Sequence, residues 1–138
     1  MRAIAASLPH TDLLFTNGDE ARELTGCAEP DRAAQVLRES GARTVVVKLG
    51  GRGCLVADEA GIAHVPAFAV TALDTTGAGD CFVGGFLAAL QRGFRYGEAA
   101  RFANAVGALS VQRMGATAGL RGFDETLAWM ETAATTAL

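Results

Sequence analysis

Asp74-Thr75-Thr76-Gly77-Ala78-Gly79-Asp80, with Cys81-Phe82-Val83-Gly84-Gly85-Phe86-Leu87 directly behind it, is the densest chemical stretch of the chain. Two acids, two hydroxyls and two glycines fall within its first seven residues. Ahead of it, Phe68 to Leu73 is an apolar, strand-like run; behind it Phe82, Val83, Phe86, Leu87 and Leu90 recur at helical spacing up to Gly93. The stretch therefore reads as a strand-to-helix turn of an α/β sheet. Acidic side chains are rarely buried and glycines weaken helices, so a turn this rich in both calls for a special backbone and a ligand. Glycines let successive N–H groups converge, and the helix behind them points its positive end at the same place, which makes an anion site. A plainer reading stays open, in which Asp80 only caps the helix. It leaves Asp74, the hydroxyls and both glycines together without a reason.

The remaining elements alternate in type. Residues 2–8 predict the last turns of a helix stopped at Pro9, and 12–16 a short buried strand. Asn17 and Glu20 stand at the two positions of a capping box that opens a helix ending at Gly26. A second helix runs from about Asp31 to Ser40, with Ala33, Ala34, Val36 and Leu37 on one side and Gly41 as its stop. Thr44-Val45-Val46-Val47 has no alternation, as expected of a strand covered on both faces of a parallel sheet. Lys48 to Gly53 is a glycine-rich turn, and the runs 54–57 and 62–65 flank Asp58-Glu59-Ala60-Gly61 as a hairpin ended by Pro66. Two further helices are expected, an Ala-rich one from Glu98 to about Arg113 and a last one from Asp124 to about Thr132. The alternation predicts an open α/β sheet flanked by helices.

A chain of 138 residues is the size of one domain with a real core, and its charged fraction of 20% is ordinary for a globular protein. The net charge of −3 gives no general attraction to nucleic acid or to an anionic membrane, so any phosphate binding must be local. No apolar run approaches the length of a membrane span, and the apolar part of the N-terminus is too short for a signal peptide. Cys27, Cys54 and Cys81 are odd in number and share no neighbours, which predicts neither disulfides nor a zinc site. The chain reads as cytoplasmic. His10 and His64 lack partners at metal or triad spacing, and the scattered arginines read as solvated faces.

If the anion is a transferring phosphoryl group, Asp80 at the helix start is placed to take the proton of an attacking hydroxyl while backbone N–H groups stabilise the phosphoryl oxygens. No GxxxxGK[ST] sequence occurs, which excludes a P-loop enzyme. The string DTTGAGDCFVGGFLAAL closely resembles the C-terminal signature of the ribokinase/PfkB family of carbohydrate kinases. FTNGDEARELTG resembles the NxxE segment of that family, VVVKLGGRG its nucleotide-loop strand, and ANAVGALSVQRMGA its late adenine-side helix.

The resemblance implies a partial ribokinase-like fold and ATP-dependent phosphorylation of a sugar or similar alcohol, with Mg2+. Asp80 becomes the catalytic base, and Gly77, Ala78 and Gly79 with Asp80 the anion hole. Asn17 joins Lys48, Gly50, Gly51, Arg52, Gly53, Gly79, Asp80 and Asn104 on the ATP side, with Glu20 acting on Mg2+ indirectly. The same Asn17 and Glu20 would equally serve as an ordinary helix cap, LGGRG as an ordinary turn, and Asn104 as a solvent-facing residue. Asp74 and Thr76 match one side of a K+ site, and Ser110, Arg113, Gly115 and Gly119 the other, although Ala118-Gly119 departs from the Pro-Ser-like pair common there.

The matching segments are those of the family's C-terminal, nucleotide-binding portion, spread over residues 1–138; the first signature, the early strands and the small β lid have no counterpart. Such a half-sheet would expose a strand edge, which predicts a homo-oligomer or pairing with a separate N-terminal half. Two other readings remain, a non-catalytic nucleotide-binding module and an assembly domain with a vestigial motif.

Overall fold

The computed structural model describes residues 4–137. The chain is α/β, and it divides into two compact units: residues 1–49 with 54–64, and residues 50–53 with 65–138.

The first unit carries the strands β1 (Leu13–Asn17), β2 (Thr44–Lys48) and β3 (Cys54–Asp58), and all of β4 (Gly61–Val65) except its last residue. They lie in the order β1-β2-β3-β4. β1 runs parallel to β2 with Leu13 opposite Thr44 and Asn17 opposite Lys48. β3 is antiparallel to β2, so the sheet is mixed where the unalternating run predicted a parallel one. Burial on both faces is nevertheless as expected, since Val45, Val46 and Val47 are all sealed from solvent. The direction of a neighbour leaves no mark on such a run.

Helix α1 (Gly18–Thr25) starts at the capping box, and α2 (Pro30–Glu39) starts at a proline whose missing N–H costs nothing in a first turn. Ala33, Ala34 and Leu37 of α2 join Ala21, Val45, Val47, Leu55 and Ala57 in one buried cluster, completed by Leu8. The predicted N-terminal helix is not formed over the described residues. Residues 4–7 make turns, and Pro9 lies within a 3-10 turn, Leu8–His10, instead of ending a helix; the expectation for residues 2 and 3 falls outside the described residues.

The second unit is built on α3 (Ala78–Gln91), α4 (Tyr96–Ser110) and α5 (Phe123–Thr132). α3 buries Phe82, Gly85, Phe86 and Ala89, while Leu87, expected on that face, is 46% exposed. A methyl group at Gly85 would stand 2.8 Å from Val106 Cγ2, so the missing side chain is what lets α3 lie against α4. Burying a ring such as Phe86 contributes roughly 1.5–3 kcal/mol. Phe102 of α4 stacks on Phe123 of α5 at 4.1 Å between centroids, and Phe94 meets both edge-on.

Phe68 to Leu73 is not a strand. Among the described residues its one ladder contact is a bridge between Phe68 and Thr135, with Ala69 N donating to Ala134 O and Thr136 N to Ala67 O. Further on, Leu73 N and Asp74 N both donate to Val111 O at the end of α4, so this backbone is satisfied by a helix end in place of a sheet neighbour.

Candidate functional site

The turn before α3 is shaped by Gly77, whose φ of 72° is left-handed and whose Cα faces Ala116 so closely that a Cβ would come within 2.8 Å of the alanine methyl. Only glycine meets both conditions without strain. No side chain among the described residues caps α3. Ala78 N donates to Thr75 O and Cys81 N to Gly77 O, whereas the N–H groups of Gly77, Gly79 and Asp80 make no backbone hydrogen bond among the described residues. Three unpaired N–H groups therefore surround the positive end of a 14-residue helix. Asp80 lies in that first turn with its side chain exposed and without a hydrogen bond or ion pair among the described residues, so it is not acting as the helix cap.

Asp74 is held differently. Its Oδ1 accepts from Thr76 N at 2.9 Å and its Oδ2 from Gly115 N at 2.8 Å. The Thr76 side-chain hydrogen bond, then the Gly115 and Thr76 amides, lower its pKa from 3.8 to about 2. Cys81 Sγ donates to Ala116 O at 3.1 Å. Residues 115–116 are thus tied to the anion turn by Asp74, by Cys81 and by contact with Gly77. The resemblance already sets Asp74 beside Gly115; the contacts of Cys81 and Gly77 with Ala116 have no signal in the sequence, because no spacing rule links residues so far apart.

Of the residues assigned to a K+ site, the structure brings together Asp74, Thr76 and Gly115. Gly119 packs separately on the backbone of Leu109 and Ser110, and the Ser110 hydroxyl is spent on Gly107 O at 2.8 Å. Arg113 is exposed.

The second unit also holds Gly50, Gly51, Arg52 and Gly53, a 3-10 turn closed by Gly53 N donating to Gly50 O. Asn104 is buried in α4, not solvent-facing, and its amide nitrogen donates to both Val65 O and Pro66 O at 3.0 Å.

In the first unit, Asn17 and Lys48 are register partners at the carboxyl ends of two neighbouring parallel strands, the end of an α/β sheet at which ligands bind. Asn17 Oδ1 accepts from Glu20 N and Glu20 Oε2 accepts from Asn17 N, both at 2.9 Å, so the capping box is complete. Thr16 Oγ1 donates to the same Glu20 oxygen at 3.2 Å. His64 does have a partner, Asp31 at 2.8 Å, on the exposed strand β4. Arg92 lies 4.1 Å over the Phe123 ring and Arg101 5.5 Å over Phe68, which also meets the half-buried Trp129. Among the described residues no group of three or more His, Cys, Asp or Glu side chains could hold a metal, and no helix is long and apolar enough to cross a membrane.

The model of the pfkB family carbohydrate kinase matches residues 1–121. The chain is 38% identical to the ribokinase of Haemophilus influenzae over 125 residues, which covers 87% of this chain and 41% of that relative. It superposes on the crystal structure of Thermotoga maritima ribokinase with a TM-score of 0.85 at 34% identity, covering 93% of this chain and 45% of the other. The aminoimidazole riboside kinase of Salmonella enterica, solved with aminoimidazole riboside and an ATP analogue, gives a TM-score of 0.83 at 35% identity, covering 94% and 45%. The chain thus spans less than half the length of these relatives.

Proposed function

Because the chain belongs to the pfkB family of carbohydrate kinases, we propose that it supplies the phosphoryl-transfer end of an ATP-dependent kinase whose acceptor is a sugar or sugar-like alcohol. The observation that carries this reading is the start of α3, where the Gly77, Gly79 and Asp80 N–H groups and the Asp80 carboxylate have no hydrogen-bond partner among the described residues. Such a constellation suits a developing phosphoryl charge and a hydroxyl proton at the same point.

In this reading the N–H groups of Gly77, Gly79 and Asp80 form the anion hole, while Ala78, expected to join them, spends its N–H on Thr75 O. The fixed dipoles of the hole stabilise charge on the phosphoryl oxygens without reorganising during the reaction. The Asp80 carboxylate accepts the proton from the acceptor hydroxyl as its oxygen attacks, and in-line displacement leaves ADP. Gly50, Gly51, Arg52 and Gly53 line the nucleotide, with Asn104 serving the same side. Lys48 joins that lining, and Asn17 is assigned with Glu20 to the magnesium–phosphate region.

Mg2+ is held mainly by nucleotide phosphates and waters with one or two carboxylates, so it needs no all-protein cluster, and none occurs among the described residues. When bound it would neutralise phosphate charge. Glu20 Oε1, left over from the capping box, is the oxygen that would reach the ion's water shell. K+ fits only in part, since Asp74 already spends an oxygen on each of two amides and Ser110 bonds within its own helix. No step is derived through it. A cytoplasmic setting, where thiols stay reduced, is part of this reading.

A second reading is favoured by the length of the relatives, of which the chain covers 41–45%. Here the chain binds nucleotide but transfers phosphate only when paired with another copy or with a polypeptide that presents the acceptor. An ATP-consumption assay against ribose, fructose and related alcohols separates the two, run on this chain alone and mixed with a separately produced N-terminal half. Turnover alone supports the first reading and turnover only in the mixture the second. No nucleotide binding in either preparation would exclude both.

A further inference from the structure

The Val65–Ala67 backbone is held from two sides within the second unit. On one side the buried Asn104 spends both amide hydrogens, on Val65 O and Pro66 O. On the other lies Gly53, with a φ of 92°, packed so closely that a Cβ would stand 2.6 Å from Ala67 N and 2.7 Å from Pro66 C. The atom nearest to that absent Cβ is Val65 O, the same carbonyl that Asn104 bonds. Gly53 in turn closes the Gly50–Gly53 turn through its N–H. A helix side chain, two carbonyls and a glycine turn thus form one continuous stack, and Pro66 in its middle has no N–H with which to anchor itself.

We propose that Asn104 is a positioning residue, which fixes the Gly50–Gly53 turn through the Val65 and Pro66 carbonyls and so serves nucleotide binding without touching the nucleotide. The inference rests on the reading of Gly50–Gly53 as nucleotide-lining. A direct contact would have to use Asn104 Oδ1, because both hydrogens of the amide nitrogen are committed.

The two roles part in Asn104→Asp, which keeps an oxygen for a direct contact but turns a carboxylate onto two carbonyls. Positioning predicts that Asn104→Asp and Asn104→Ala weaken binding of a non-hydrolysable ATP analogue alike, about tenfold, as expected for losing a buried hydrogen-bonded group. The preference for that analogue over its inosine counterpart, which lacks the 6-amino group, should not change. Gly53→Ala should reproduce the loss, and adding Asn104→Ala to it should cost little more, since both act on one element. Asn104→Asp binding as well as the parent, or a changed base preference, would overturn the proposal. Circular dichroism checks folding, and Asn104→Ser replaces an Asn104 variant that fails it. Amide exchange at Gly53 and Ala67, measured without nucleotide, keeps the inference separate from the kinase reading. If the parent binds no nucleotide the kinase reading fails, and the exchange decides the stack: faster in the Asn104 variants supports it, unchanged refutes it.

Discussion

Gly77→Ala is the substitution whose cost follows most directly from the coordinates. An L residue at φ 72° is left-handed, at a cost of roughly 1–2 kcal/mol. The new methyl would also sit 2.8 Å from Ala116 Cβ, well inside the ~3.5–4.0 Å at which carbon atoms rest. Relief requires residues 115–116 to retreat, yet these are tied by the Asp74–Gly115 bond of 2.8 Å and the Cys81–Ala116 bond of 3.1 Å. Overpacking of this kind costs about 1–3 kcal/mol. The two terms overlap, because one shift relieves part of each, so a total of roughly 2–4 kcal/mol is expected, or about 6–16 °C in melting temperature for a chain of this size. Urea denaturation with Gly84→Ala as the matched control reads it. Gly84 is exposed within α3 and a Cβ there meets nothing within 4 Å, so that change should stabilise by about 0.5–1 kcal/mol. A Gly77→Ala loss below about 0.5 kcal/mol, with Thr76 and Gly115 amide exchange unaltered, would refute the strained-turn argument.

Two other predictions concern the surroundings of this turn. The Asp74 carboxyl is depressed from 3.8 to about 2, so its stabilising contribution is complete above pH 3.8 and disappears as the pH falls through 2; a carbon-detected NMR titration should show that low midpoint, and Asp74→Asn should flatten the acid limb of the stability curve. Asn17→Ala removes the cap that accepts from Glu20 N and should cost about 1 kcal/mol in thermal denaturation, while Asn17→Ser should restore most of it.

What was legible in the sequence was local. The α3 turn, the Asn17–Glu20 box and the 54–65 hairpin rest on residues a few positions apart, where backbone geometry ties spacing to structure. Phe68 to Leu73 was misread because an apolar run does not reveal its partner, here the 133–136 tail and the end of α4. Asn104 in an Ala-rich helix looked free to face solvent; its acceptors are 38 and 39 residues away. The His64–Asp31 pair, 33 residues apart, was invisible for the same reason. Within the site, the glycines and Asp80 could be named from chemistry alone. The way residues 115–116 brace them depends on packing that no spacing announces.

The central claim is that Asp80 removes the acceptor proton at the head of α3. Its most direct test is transfer of the γ-phosphate from ATP to the acceptor, comparing Asp80→Asn with the parent in whichever preparation is active, the chain alone or the chain with an N-terminal half. Loss of a positioned base predicts a fall in kcat of about 10²–10⁴-fold, with ATP affinity changed less than about threefold. Transfer by Asp80→Asn within about threefold of the parent would contradict the account.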